Sequence, residues 1–267
     1  MAGTGKVELK VKDGIATITL NRPEVLNALN ADMWRGLEDA AVAIAHNTEV
    51  RVAILHGAGD RAFSAGLDLK AAARGEGFPA RDVRAGADSL TAVKHYITIY
   101  QELAVPVIAA IHGYCMGGAC QLAVACDIRI ASDDAILAIP EAKVLGIVPD
   151  LGGTQRLPRL VGPGYAKIML MTGRRVNAQE ALRVGLVDEV HPKGEHMAAA
   201  MALAEEIASI NPDAVQGVKR SVDTAMSTSL GVGLAFETAT ALSLPRMGDV
   251  FLKGAETFSK RSGKGSA

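Results

Sequence analysis

The segment that most restricts how this chain folds is Gly113-Tyr-Cys-Met-Gly-Gly-Ala-Cys-Gln-Leu-Ala-Val-Ala-Cys-Asp127. An apolar run, Val105-Pro-Val-Ile-Ala-Ala-Ile111, precedes it and reads as a buried strand. The residues after the paired glycines suit a helix. A strand that breaks at glycine and resumes as a helix aims free backbone N–H groups at one point, because glycine turns sharply and tolerates close approach. The helix N-terminus adds partial positive charge. Such a place suits an anion, or an oxygen that becomes anionic during a reaction. The same residues also make an ordinary tight turn in a core, and this segment alone leaves both readings open.

A second segment repeats the pattern. Val50-Arg-Val-Ala-Ile-Leu-His56 reads as another buried strand and opens into Gly57-Ala-Gly-Asp-Arg-Ala-Phe-Ser-Ala-Gly-Leu-Asp-Leu69. Two strand–turn units, roughly fifty residues apart, can each give one amide to the same oxygen. Two donors on one carbonyl oxygen stabilise the negative charge it gains during a reaction, and losing one such donor costs about 2.7–4 kcal/mol of barrier.

Around these units the pattern is α/β. Val7–Lys12 and Ile15–Leu20 alternate about Asp13-Gly14, which predicts a hairpin. Residues 31–46 suit a helix with Leu37, Ala40, Ala41 and Ile44 inward and Asn30 as its cap. Further short strands are expected near 127–131 and 135–138, and strands alternating with helices favour an α/β core. Residues 70–88, rich in Ala, Arg, Gly and Asp, read as a mobile segment or poorly packed helix. Beyond about 162 the chain turns mainly helical, with helices expected over 198–209 and 212–226.

The net charge of −1 implies no general attraction to nucleic acid or to an anionic membrane. The first ten residues lack the apolar stretch of a signal peptide. The longest apolar region, Leu103 to Ile128, is interrupted by Pro106, His112 and Gln121 and reads as strand plus helix rather than a membrane span. Three cysteines cannot all pair within one chain, and with no export signal a cytoplasmic location is expected.

Phe63-Ser-Ala-Gly-Leu-Asp-Leu69, with His112-Gly-Tyr-Cys-Met-Gly-Gly-Ala-Cys-Gln-Leu-Ala123, resembles the enoyl-CoA hydratase/isomerase (crotonase) family. Leu20-Asn-Arg-Pro-Glu-Val-Leu-Asn-Ala-Leu29, Cys126–Ala131, Gly152-Gly-Thr-Gln-Arg-Leu157, Leu170–Gly173, Ala178–Ala181 and Gly185–Asp188 extend the likeness over about residues 6–260. It implies a crotonase-like spiral of strand–strand–helix (ββα) turns over residues 1–195, which binds acyl-CoA and carries the chemistry. It further implies a C-terminal helical region, residues 196–267, that builds a trimer or hexamer and closes the CoA site.

By that resemblance the oxyanion amides fall at Leu67 and Gly118. The two glutamates of family hydratases fall at Gln121 and Glu141, twenty positions apart. Glutamine orients water but cannot accept a proton as a base. Asp150 precedes the Gly-Gly-Thr segment, where some family isomerases place an acid, although the run from Glu141 to Gly152 is one residue longer than the common pattern. It is either a second acid/base group or a turn residue that caps the next helix. Ala65, Asp68 and Leu69 match the adenine-binding backbone, and Val25 and Ala28 match the pantetheine path. Arg22, and Lys260 from a neighbouring subunit, are candidate phosphate partners or simply solvated cations. No cofactor is expected beyond the CoA of the substrate itself.

Three other features invite different chemistry. Gly57-Ala-Gly-Asp-Arg-Ala62 imitates a dinucleotide fingerprint, but Phe63-Ser-Ala-Gly66 follows it where a helix should start. Cys115, Cys120 and Cys126 lack metal-ligand spacing and suit a core. A Cys115 nucleophile with His112 as base has no third residue to support it. With one firm carboxylate, double-bond isomerisation is easier to explain than hydration. An ordinary enoyl-CoA hydratase and a non-catalytic acyl-CoA binder are the alternatives.

Overall fold

The computed structural model describes residues 6–78, 86–244, 248 and 251–256. Strands β1 (Lys6–Lys12) and β2 (Ile15–Asn21) form the expected antiparallel hairpin, in register from Lys6↔Asn21 to Lys12↔Ile15. Asp13 and Gly14 both take positive φ, 51° and 79°, as a two-residue turn matched to strand twist requires. Helix α1 (Ala31–Ala45) starts where Asn30 Oδ1 accepts the Met33 N–H at 3.0 Å. It buries Met33, Trp34, Leu37, Ala40, Ala41 and Ile44.

The chain then winds through three similar turns. Each lays one strand in a large sheet, one in a small sheet, and then a helix. The first is β3 (Val52–Gly57), β4 (Ala62–Ser64), α2 (Leu69–Ala72) and α3 (Gly86–Glu102). The second is β5 (Val107–Ile111), β6 (Tyr114–Met116) and α4 (Gly118–Ala123). The third is β7 (Ile128–Ser132), β8 (Ile136–Ala138) and α5 (Glu141–Leu145). Strands β2, β3, β5 and β7 run parallel within the large sheet, and β4, β6 and β8 run parallel within the small one. This is the ββα spiral.

Helices α6 (Gly153–Val161) and α7 (Pro163–Thr172) follow, then β9 (Val176–Asn177) on the small sheet and α8 (Ala178–Arg183). Strand β10 (Glu189–His191) closes the six-stranded sheet, whose order is β1-β2-β3-β5-β7-β10. Helix α9 (His196–Ser209) covers one face of that sheet, with Ala200 and Ala204 fully buried against Val52, Ile54, Ile108 and Ile130. Alanines at these positions let helix and sheet approach closely. One compact unit ends at Ser209.

A second compact unit runs from Ile210 onward. In it α10 (Pro212–Ala225) is capped by Asn211, whose Oδ1 accepts the Ala214 N–H at 3.1 Å. It packs on α11 (Leu230–Ser243), where Gly217 faces Thr240 and Leu244. No residue of α11 is buried, and Leu230 and Leu242 are 79% and 70% exposed. Among the described residues, no helix is long and apolar enough to cross a membrane.

The spans differ from expectation mainly after β4. The composition of residues 70–88 predicts a mobile segment or loose helix. In the fold α2 covers Leu69–Ala72 and Gly86 already belongs to the long helix α3, while residues 79–85 lie outside the described ones. At the dinucleotide-like Gly57–Ala62 the chain passes from β3 into β4, and no helix begins. Phe258 and Lys260 lie outside the described residues.

The docking of α9 carries a pH dependence. His196, its first residue, meets His112 with ring centroids 5.1 Å apart. Burial lowers the pKa of His112 and of nearby His56, and burial plus the charge of His112 pushes His196 down to about 4. The unfolded chain therefore takes up more protons than the folded one as pH drops below 6.5, the ordinary histidine value. Stability is complete above that point and is lost progressively as pH falls towards about 4. Urea midpoints measured at neutral and mildly acidic pH should fall with acidification, and His196→Asn should flatten the fall. An acid-insensitive midpoint would remove the histidines from the account.

Candidate active site

Strands β4, β6 and β8 are parallel neighbours, so their C-terminal ends share one edge. From that edge emerge Ala65–Asp68, Gly117–Gly118 and Ile139–Glu141. Gly66 has φ 82°, and a Cβ there would overlap the Met116 carbonyl oxygen and lie 3.3 Å from the Gly118 nitrogen. The peptide leading into Leu67 therefore runs beside the one leading into Gly118. The bridge that holds this loop uses the Leu29 N–H on Gly66 O and the Asp68 N–H on Leu29 O, at 2.7 and 2.9 Å. It passes over the Leu67 N–H. Gly118 opens α4, where no preceding helical carbonyl is available. Among the described residues, neither the Leu67 nor the Gly118 N–H donates to a protein acceptor. Gly117, at φ 54° and ψ −126°, occupies backbone space that side chains do not tolerate.

Behind Gly118 the wall is apolar. Its would-be Cβ lies 3.2 Å from Leu151 Cδ1 and 3.6 Å from Trp34 Cζ2. Trp34 stacks on Phe78 at 5.5 Å and tilts against Tyr96 at 6.0 Å. Polar interactions are stronger in such surroundings than in water.

Glu141 is the first residue of α5, and its Oε1 accepts the Gln121 Nε2–H at 2.7 Å. Its Oε2 is buried and has no hydrogen-bond partner. A Cβ on Gly117 would stand 3.3 Å from Oε1, so the carboxylate sits against the turn that presents Gly118. Burial raises the Glu141 pKa, its own backbone N–H and the Gln121 amide work against the rise, and the Asp150 charge adds to it. A carboxyl held towards neutrality exchanges protons well near neutral pH.

Gln121 is 1% exposed, and its Oε1 accepts two backbone amides, Leu151 N–H at 3.1 Å and Gly153 N–H at 2.9 Å. Asp150 lies one residue before this contact and close enough to raise the Glu141 pKa. It does not cap α6: the cap residue is Gly152, with no side-chain cap bond. Gln121 takes that place from a distant helix. Arg156 buttresses the same loop, donating to Leu151 O at 3.1 Å, Gln101 Oε1 at 2.8 Å and Thr98 Oγ1 at 3.0 Å. These links are the part of the site that sequence reasoning missed. The two from Gln121 span thirty or more positions, and the only local signal was the Gly152-Gly153 pair.

Arg22 is turned inward, only 13% exposed, with Nη1 on the Ala28 carbonyl at 2.7 Å and on Asp68 Oδ2 at 3.1 Å. Burial works to raise the Asp68 pKa, but the Ala71 amide and Arg22 hold it below the usual carboxylate range. Asp68 also caps α2 through the Ala71 N–H. Ala28 is buried, Ala65 is partly buried, and Val25 and Leu69 are 40% and 47% exposed. Lys260 lies outside the described residues. Cys115, Cys120 and Cys126 are buried free thiols, and burial pushes Cys115 well above its ordinary pKa, which removes it as a thiolate nucleophile.

The model of one protein family, described as enoyl-CoA hydratase/isomerase, matches residues 10–262. The short-chain-enoyl-CoA hydratase of Clostridium acetobutylicum is 39% identical over 232 residues, which is 87% of this chain and 86% of that protein. The carnitinyl-CoA dehydratase of Proteus mirabilis is 44% identical over 213 residues, 80% of this chain and 78% of that one. The crystal structure of an enoyl-CoA hydratase from Bacillus anthracis superposes with a TM-score of 0.86 at 35% identity, covering 96% of each chain.

Proposed function

The chain belongs to the enoyl-CoA hydratase/isomerase family, and from that premise we propose that it shifts a double bond along an acyl-CoA thioester, from the 3-enoyl to the 2-enoyl position. The observation that carries this reading is the pairing of Glu141 with Gln121. One buried carboxylate oxygen, Oε2, is left for proton work, and the residue opposite has its acceptor oxygen filled by two amides. The Leu67 and Gly118 N–H groups take the thioester oxygen. Glu141 removes a proton from C2, the electron pair spreads over a dienolate, and Glu141 returns the proton to C4, leaving the double bond between C2 and C3. The balance closes without a redox partner or any group beyond the CoA ester.

Hydration asks for more. Water must be oriented and deprotonated for attack at C3 while C2 gains a proton. The hydratase and dehydratase names of the relatives favour this second reading, with Asp150 recruited beside Glu141. Supplying 3-enoyl- and 2-enoyl-CoA separately distinguishes the two. The expected result is faster gain of conjugated-enoyl absorbance from the first than loss of it from the second. The reverse order would make the protein a hydratase.

Assembly as a trimer, or as two stacked trimers, belongs to the same proposal. The apolar side chains that α11 leaves exposed, Leu230, Val232, Leu234 and Leu242 among them, support a second copy as their cover. The C-terminal region of a neighbouring copy would then close the CoA site. Buried free cysteines fit the reducing cytosol.

A further inference from the structure

We propose that Gln121 is a positioning residue that locks Glu141 in one orientation, with Oε2 as its only working oxygen, by tying the carboxylate to the amides that open α6. This rests on the reading of Glu141 as the proton carrier. The side chain is 1% exposed and has little rotational freedom. Its oxygen is identified by its two donors, Leu151 N–H and Gly153 N–H, so its nitrogen must face Glu141. The Nε2–H bond to Oε1 is 2.7 Å, within the range of a charge-assisted bond. Three walls of the site, α4, α5 and the start of α6, thus meet at one amide group.

The bridge has a chemical consequence beyond packing. A carboxylate with two equivalent free oxygens can rotate and offer either one to the substrate. With Oε1 held, only Oε2 is free, and it is the atom with no partner. Gln121 also donates to the charged form of Glu141 and so opposes the burial that raises its pKa. Its Oε1, with both acceptor positions taken, is not left to orient a water through an accepted hydrogen bond. A glutamine here trades a second base for a fixed first one.

The test uses exchange of C2 protons in a saturated acyl-CoA dissolved in deuterated water, followed by NMR against pH. This reaction needs the base and the oxyanion amides but no migrating double bond. Q121E keeps the oxygen that accepts the two amides and replaces the donor to Glu141 with a second carboxylate oxygen. Two carboxylates in contact cannot both ionise easily, so Glu141 keeps its proton to higher pH. The acid limb of the exchange profile should move up by about one pH unit or more. Q121M keeps side-chain length and loses all three bonds. Its exchange rate should drop about tenfold or more, its limb should also move up, and its acyl-CoA affinity should change little.

A lowered rate with an unmoved limb in both variants would reduce Gln121 to a structural role and overturn the proposal. Absence of exchange in the unmodified protein would overturn it as well, by removing Glu141 as base. Exchange without double-bond migration would overturn only the isomerase reading, and the two variants would still decide the role of Gln121. Circular dichroism and thermal unfolding of both variants separate misfolding from mispositioning.

Discussion

Replacing Glu141 with glutamine is expected to abolish turnover while leaving acyl-CoA affinity nearly unchanged. The substitution preserves shape. The oxygen of the new amide can still accept the Gln121 N–H that now bonds Glu141 Oε1 at 2.7 Å, so α5 and the turn at Gly117 should stay in place. What disappears is the capacity of the buried, unpaired Oε2 to take and return a proton. Positioned acid–base groups contribute on the order of a hundred- to ten-thousand-fold, and with Glu141 as the sole proton carrier, as proposed, the loss should reach the upper part of that range. Binding should be unaffected because, in the proposed reading, backbone amides and the apolar wall supply it. A spectrophotometric enoyl-CoA assay beside a direct binding titration measures both. Retained activity would transfer the role to Asp150, and Asp150→Asn would then be the variant that fails.

Gly66→Ala should come close to that loss by a different route. Gly66 has φ 82°, where a side chain costs roughly 1–2 kcal/mol, and its new methyl would overlap the Met116 carbonyl oxygen 3.3 Å from Gly118 N. The two turns must move apart, and the two N–H groups can no longer converge on one oxygen. Losing one such donor lowers kcat by on the order of a hundred- to a thousandfold. Gly194→Ala is the control, since Gly194 has φ 88° but nothing within 4 Å of a new methyl. It should lose stability alone. If Gly66→Ala keeps kcat while only its melting temperature falls, the oxyanion assignment to Leu67 and Gly118 is wrong.

The parts of the fold legible in the sequence were those fixed by neighbours along the chain. The hairpin followed from Asp13-Gly14, whose two positive φ values only such residues adopt readily. Helix α1 began at the residue whose side chain caps it. Strands β3 and β5 are buried on both faces and so appear as apolar runs. The small sheet was less legible, because strands of three residues, Ala62–Ser64 and Tyr114–Met116, are too short to show a period. The likeness of motifs, rather than periodicity, supplied the spiral. Within the site, the glycine turns were marked by local pattern, and Glu141 by its position in the family resemblance. The bridge from Gln121 to Leu151 and Gly153 was not, because a hydrogen bond across thirty residues leaves no periodic trace.

The spiral also dictates when the site comes into being. Parallel pairing joins Ile54 to Ile108 and Ile108 to Ile128, so each turn must close a long loop before its contacts form. Leu67 arrives with the first turn, Gly118 with the second and Glu141 with the third. The turn that presents Gly118 is itself completed late, because the Gly117 N–H bonds Ala138 O of the third turn at 2.8 Å and Gln121 is fixed by the Leu151 and Gly153 amides beyond it, so the site forms as one late event and not turn by turn.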